Sequence, residues 1–143
     1  MSRRTVREKV VQALYECDFH PDNVEEVIAS RGGKLNEEDR SFYLRLAHGI
    51  RQHAAGADAI ITRFLKKGWS VGRLSSVDRT ILRMAVYELL FEDTPKAAVL
   101  NEAVELGKAF GGPESGRFIN GVLGSVVANL EQIKQEQKQI QES

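Results

Sequence analysis

Apolar residues recur at steps of three and four along nearly the whole of this chain, and only three prolines interrupt them. That spacing puts one apolar stripe on each of a succession of α-helices and leaves no alternating run of useful length for a strand. In the first segment the stripe is Val6, Val10, Ala13, Leu14 and Cys17, with Arg4, Val11 and Tyr15 in a second line beside it and Arg7 between the two. His20-Pro21-Asp22-Asn23 reads as a turn, and Asn23 as the cap of a short helix that ends at Arg31-Gly32-Gly33. Asn36 opens a helix carrying Phe42, Leu46, Gly49, Ile50 and His53, which Gly56 bends or ends before Ile60, Ile61, Phe64 and Leu65 define the next.

The second half repeats the pattern. Ser75 or Ser76 caps a helix with Val77, Ile81, Met84, Ala85 and Leu89 inward, and Thr94-Pro95 starts another. Val99, Ala103, Leu106 and Phe110 form its stripe, which Gly111-Gly112-Pro113 terminates. Ser115 starts a last helix with the stripe Ile119, Val122, Val126, Leu130 and Ile133, followed by a Glu/Gln/Lys-rich extension expected to fray. The expected fold is all-α with about seven helices, either one domain or two small halves sharing a core. A chain of 143 residues is long enough to bury that core without staples.

Composition narrows the function. Lys+Arg and Asp+Glu both total 20, so no global field draws the chain to nucleic acid or a membrane, and any anion site must be local. The single cysteine, Cys17, excludes an internal disulfide and fits a reducing cytoplasm. No apolar stretch approaches the ~20 residues of a spanning helix, and no apolar run follows the N-terminal arginines as in an export signal. Phosphate-loop, HExxH, CxxC and GxSxG patterns are all missing. His48 and His53 are five residues apart, about 140° around a helix, so they do not converge on a metal. Glu102 and Glu105 share a face but lack a nucleophile or base at matching spacing, and read as solvated or capping. Gly121 and Gly124 match a GXXG loop in letters, yet lie in a helical stretch, where close helix packing is the better reading. No enzyme, metal or cofactor is expected.

Two local signals point elsewhere. Arg3, Arg4, Arg7 and Lys9 face only Glu8 in the first nine residues, at a helix N-terminus whose dipole disfavours cations. Arginine forks suit phosphates and base edges, and Tyr15 lies on the same side as Arg4, a cation–aromatic combination suited to single-stranded nucleic acid. The second signal is KAFGGPESGRFINGV. There Phe110 falls mid-stripe and reads as core, whereas Phe118 lies about 100° off its stripe and reads as rim, with Arg117 pointing away from the core.

Three blocks, RRTVREKVVQALYECD, VDRTILRMAVYELLFEDTPKAAVLNEAVELGKAFG and SGRFINGVLGSV, closely resemble the NusB family of bacterial transcription antitermination factors in order, spacing and total length. They cover roughly half of the chain, and residues 20–70 add little beyond helical periodicity. The resemblance implies an all-helical fold of two small bundles packed together within one domain, here 1–70 and 71–135 with a polar tail over 136–143. It implies binding to boxA RNA, best with the small ribosomal-subunit protein NusE, and entry into the elongating RNA polymerase complex with other Nus factors to support ribosomal RNA synthesis. The family's arginine-rich RNA motif maps onto Arg3, Arg4 and Arg7, with Thr5 where a further basic residue is common. Tyr15 and Asp78 fall in the RNA and NusE contact zone, and Phe110, Glu114, Arg117 and Phe118 on the second part of the RNA surface. Gly112-Pro113 departs from the family pattern in that loop. Some members self-associate through the RNA surface, so a second copy is a further implied partner.

Two other readings compete. A related helical module is appended to ribosomal RNA cytosine methyltransferases, but no cofactor-binding βαβ region follows here. A helical adaptor whose arginines meet an acidic protein partner, without specific RNA recognition, is the second.

Overall fold

The structure, a computed structural model, describes residues 2–142. Helix α1 (Arg3–Cys17) begins after Ser2, whose hydroxyl accepts the Thr5 amide at 3.2 Å. It is followed by α2 (Val24–Gly32), α3 (Glu37–Gln52) and α4 (Ala54–Thr62). Asn36 caps α3 by accepting the Asp39 amide at 2.8 Å, whereas Asn23 stands ahead of α2 without a side-chain cap bond. A 3₁₀ turn, Val71–Arg73, leads to α5 (Ser76–Phe91), capped by Ser75 through the Asp78 amide at 3.1 Å. Then come α6 (Lys96–Gly111), α7 (Pro113–Ala128) and α8 (Leu130–Glu142).

The fold is all-α, with eight α-helices among the described residues rather than about seven. The difference lies at Asn129, where φ −110° and ψ 13° interrupt the expected last helix, and the side-chain amide donates to the Ser125 carbonyl at 2.8 Å. Two boundaries also move. Helix α4 starts directly after His53, ahead of Gly56, and α7 starts at Pro113 rather than Ser115, because proline suits the first helical position. Gly112 makes the abrupt α6–α7 reversal with φ +89°, a conformation that favours glycine.

One connected core receives side chains from all eight helices. Val6, Val10 and Leu14 of α1 join Phe42 and Leu46 of α3, Ile81 and Met84 of α5, Leu106 of α6, Ile119 and Leu123 of α7 and Ile133 of α8. Helices α6 and α7 pack most extensively. They approach where Gly107 meets Gly116: a Cβ on Gly107 would stand 2.6 Å from Ile119 Cδ1. A Cβ on Gly49 would likewise stand 2.3 Å from the Tyr87 ring, so α3 crosses α5 there. Gly121 and Gly124 have nothing within 4 Å of such a Cβ, so the expected close packing at GVLG does not occur. The extension is helical to Glu142, and its Glu136 carboxylate accepts from Arg63 of the α4 C-terminus at 2.9 Å.

Two charged residues interrupt the core. Arg7 Nε and Nη2 donate to Glu88 Oε2 and Oε1 at 2.9 and 2.7 Å, both residues are buried, and the Thr94 hydroxyl donates to the same carboxylate at 3.3 Å. The pair fastens α1 to α5 and to the segment leading into α6.

Candidate nucleic-acid interface

The opening arginines separate into three environments. Arg3 is exposed, its guanidinium carbon 3.9 Å from the centre of the Phe42 ring. Arg4 is exposed too, but its fork closes on Glu102 of α6 through Nε at 2.9 Å and Nη2 at 3.0 Å. The hydrogen bond from Arg4 holds the Glu102 carboxyl below its usual range, and Glu102 raises the Arg4 guanidinium in turn. Arg7 points inward to Glu88, which corrects the expectation that it stands with Arg3 and Arg4 as an RNA-facing arginine. The reason is helical phase: Arg7 shares its side of α1 with buried Val10, Val11 and Leu14, at steps of three, four and seven.

At the other end of α1 four helix termini meet. Asp18, just past α1, accepts from the Ser76 hydroxyl and pairs with Arg79 at 3.6 Å, bringing the α1 C-terminus to the α5 N-terminus. A Cβ on Gly111 would stand 3.7 Å from Asp78 Oδ1, so the α6 C-terminus and the start of α7 lie there as well. Tyr15 is 43% exposed and meets the Phe19 ring edge-on at 5.1 Å. Phe110 is 36% exposed, which corrects its assignment to the core: residues 108–111, the last turn of α6, run past the layer that covers Leu106. Glu114 is exposed in the first turn of α7, where its charge suits the helix dipole. Arg117 is exposed, and Phe118 is half-buried against the core, as expected for a rim residue.

Asp78, Arg117 and Phe118 line one open groove of about 700 Å³. Its opposite wall comes from the α4–α5 connection, with Phe64, Lys66, Trp69 and Arg73. Trp69 is 51% exposed, and the Arg73 guanidinium lies 5.3 Å from its ring centre. Phe64 reads in the sequence only as part of an apolar stripe, and Lys66, Trp69 and Arg73 were missed, although KKGWSVGR between two apolar stripes holds the same cation–aromatic pairing that singled out Arg4 and Tyr15. Asp78 Oδ1 is buried without a hydrogen-bond donor among the described residues.

The structure thus gathers Asp78, Arg117 and Phe118 on the groove and brings Tyr15, Phe110 and Glu114 to adjoining helix ends. It leaves Arg3 and Arg4 at the far end of α1, eleven residues or about 16 Å along the axis from Tyr15. Cations flanking exposed aromatic faces can hold a single strand through its phosphates and its bases together. His48 and His53 diverge: one ring pairs with Glu25 at 2.9 Å, the other stacks on Phe91 at 4.2 Å.

Known proteins resemble the chain in sequence and in fold. The sequence model of the NusB family matches residues 4–128. Transcription antitermination protein NusB of Pelotomaculum thermopropionicum is 41% identical over 138 residues, covering 94% of each chain. Its Bacillus subtilis counterpart is 40% identical over 134 residues, covering 92% of this chain and 99% of its own. Among solved structures, T. maritima NusB aligns with TM-score 0.80 and 34% identity over 95% of this chain and 92% of that one. The complex of antitermination factors NusB and NusE with double-stranded RNA aligns with TM-score 0.76 and 27% identity, covering 87% of this chain and 94% of that chain. With a family match over residues 4–128 and relatives alike over most of their length, the chain belongs to the NusB family.

Proposed function

We propose that this chain is an RNA-binding transcription antitermination factor, which binds boxA RNA together with NusE and joins the elongating RNA polymerase with other Nus factors to support ribosomal RNA transcription. Its relatives bear the antitermination name, and a structural neighbour is a complex of NusB with NusE and RNA. The observation that carries the reading is the groove on which Arg117 and Phe118 stand beside Asp78. Arg3, Arg4 and Arg117 neutralise phosphates or meet base edges, and Tyr15, Phe110 and Phe118 offer faces to unpaired bases. Arg7 serves the interface indirectly, by fixing α1 through Glu88. Tyr15 and Asp78 belong to the zone shared by RNA and NusE, and Glu114 penalises misplaced phosphates.

The action is binding in the cytoplasm, without a catalytic step. In domain terms the chain is one unit whose halves, 1–70 and 71–135, form two packed bundles, with 136–143 as a tail. The chain carries no net positive charge, so binding alone is weak, and a partner adding its own contacts raises affinity. Fluorescence anisotropy with labelled boxA-like RNA and NusE tests the site. Replacing Arg117 and Phe118 by alanine should weaken binding about tenfold or more, since one stacked base is worth about 1–3 kcal/mol. Unchanged affinity would reject the groove. The adaptor reading draws on one observation, that Arg4 already holds a carboxylate of its own chain.

A further inference from the structure

We infer that Glu102 is an internal competitor for the RNA phosphate at Arg4, and so an affinity-setting residue of the interface. The inference rests on the RNA-binding reading and deepens it. Arg4 offers a planar fork whose donors suit a carboxylate or a phosphodiester equally well, and only one can occupy the same pair of N–H groups. In the free protein that place is taken: Nε and Nη2 both end on Glu102, 98 residues away in sequence, at 2.9 and 3.0 Å. The pair is not sealed. The Arg4 side chain is 51% exposed and that of Glu102 24%, so a strand can reach the guanidinium from solvent and Glu102 can be released into water.

The surroundings reinforce the competition. Glu105, less than a turn beyond Glu102, and Glu8 on α1 also act on the Arg4 charge, so an incoming phosphate meets a carboxylate field along this seam. Arg3 has no carboxylate partner among the described residues and rests on Phe42, so it is free to receive a phosphate first. Arg7 lies inside, held by a different carboxylate. Of these three arginines, Arg4 alone is both reachable and occupied. A phosphate placed well enough to take both donors can displace Glu102; one that merely drifts past meets a neutralised arginine. Glu102 thereby lowers affinity for nucleic acid in general more than for a strand in register.

The test is a double-mutant cycle of Arg4→Ala and Glu102→Gln, in the complex with NusE, with boxA-like RNA at two salt concentrations. Glutamine keeps the shape and one acceptor but removes the charge. The Glu102→Gln variant should bind RNA several-fold more tightly at low salt, a gain that shrinks at the higher salt, where the exposed pair it removes is already screened. In the Arg4→Ala background the same change should have no effect. Unchanged or weaker binding by Glu102→Gln overturns the inference, while wild-type RNA binding leaves the antitermination reading standing. Tightening that persists without Arg4 also overturns it, since a general change of field would then suffice. If the wild-type complex binds no RNA, both fall together. Circular dichroism of each variant separates loss of fold from loss of binding.

Discussion

Arg4 and Arg7 stand one turn apart on α1, and alanine at each should have opposite consequences. Removing Arg7 leaves the Glu88 carboxylate buried at 2% exposure with only the Thr94 hydroxyl, a change worth about 3–5 kcal/mol of stability and readable as a lower midpoint in urea. Removing Arg4 breaks an exposed pair, so the midpoint should hardly move while RNA affinity falls. Equal destabilisation by the two would contradict the assignment of Arg7 as structural and Arg4 as functional. The Arg4–Glu102 pair also has a pH signature. The folded Glu102 carboxyl sits below its unfolded value of about 4.3, so the pair's contribution is complete above that pH and lost as acid protonates Glu102. In an NMR titration, Arg4→Ala should move the Glu102 midpoint upward; no movement would mean that the hydrogen bond is not its cause. Arg7 was legible in principle. It and Glu88 both interrupt apolar stripes at helical steps, Arg7 with Val10 and Leu14, Glu88 with Ile81 and Met84, and two opposite charges inside one core must find each other. The cluster of neighbouring arginines hid that signal by making all three look alike.

At the scale of the element, glycines on the α6–α7 hairpin divide by what faces them. Gly107→Ala forces a methyl against Ile119 Cδ1 and the Gly116 backbone and should cost about 1–3 kcal/mol. Gly124→Ala, in the same hairpin with open space around it, should stabilise by up to about 1 kcal/mol through helix propensity. Urea unfolding of the two variants checks the pair; matching signs would mean that the close approach at Gly107 is not real. Helix existence was legible nearly everywhere, because stripes such as Ile81–Met84–Ala85–Leu89 persist across several turns. Boundaries were less so. The break at Asn129 keeps Val126, Leu130 and Ile133 all buried, so periodicity passes across it undisturbed. Phe110 failed for another reason: its stripe is regular, but whether a helix outruns its neighbours depends on where those neighbours end.

Across the whole molecule, 20 cations and 20 anions cancel, and many of the arginines are already committed. Arg83 is held by Asp58 at 2.7 Å, Arg63 by Glu136 at 2.9 Å and Arg45 by Glu92 at 3.3 Å, ties that hold the helices together rather than attract a strand. The arginines proposed for RNA stand at two places, Arg3 with Arg4 and the groove around Arg117, and their separation was invisible in sequence, where only the fold sets the distance between residues 4 and 117. A protein with no net charge should depend on its partner and on ionic strength. The most direct test is the affinity of the wild-type chain for boxA-like RNA, with and without NusE, at about 50 and 200 mM salt. The account predicts weak binding alone, tighter binding with NusE, and a marked loss at the higher salt; binding neither the RNA nor NusE would contradict it and leave the helical adaptor in its place.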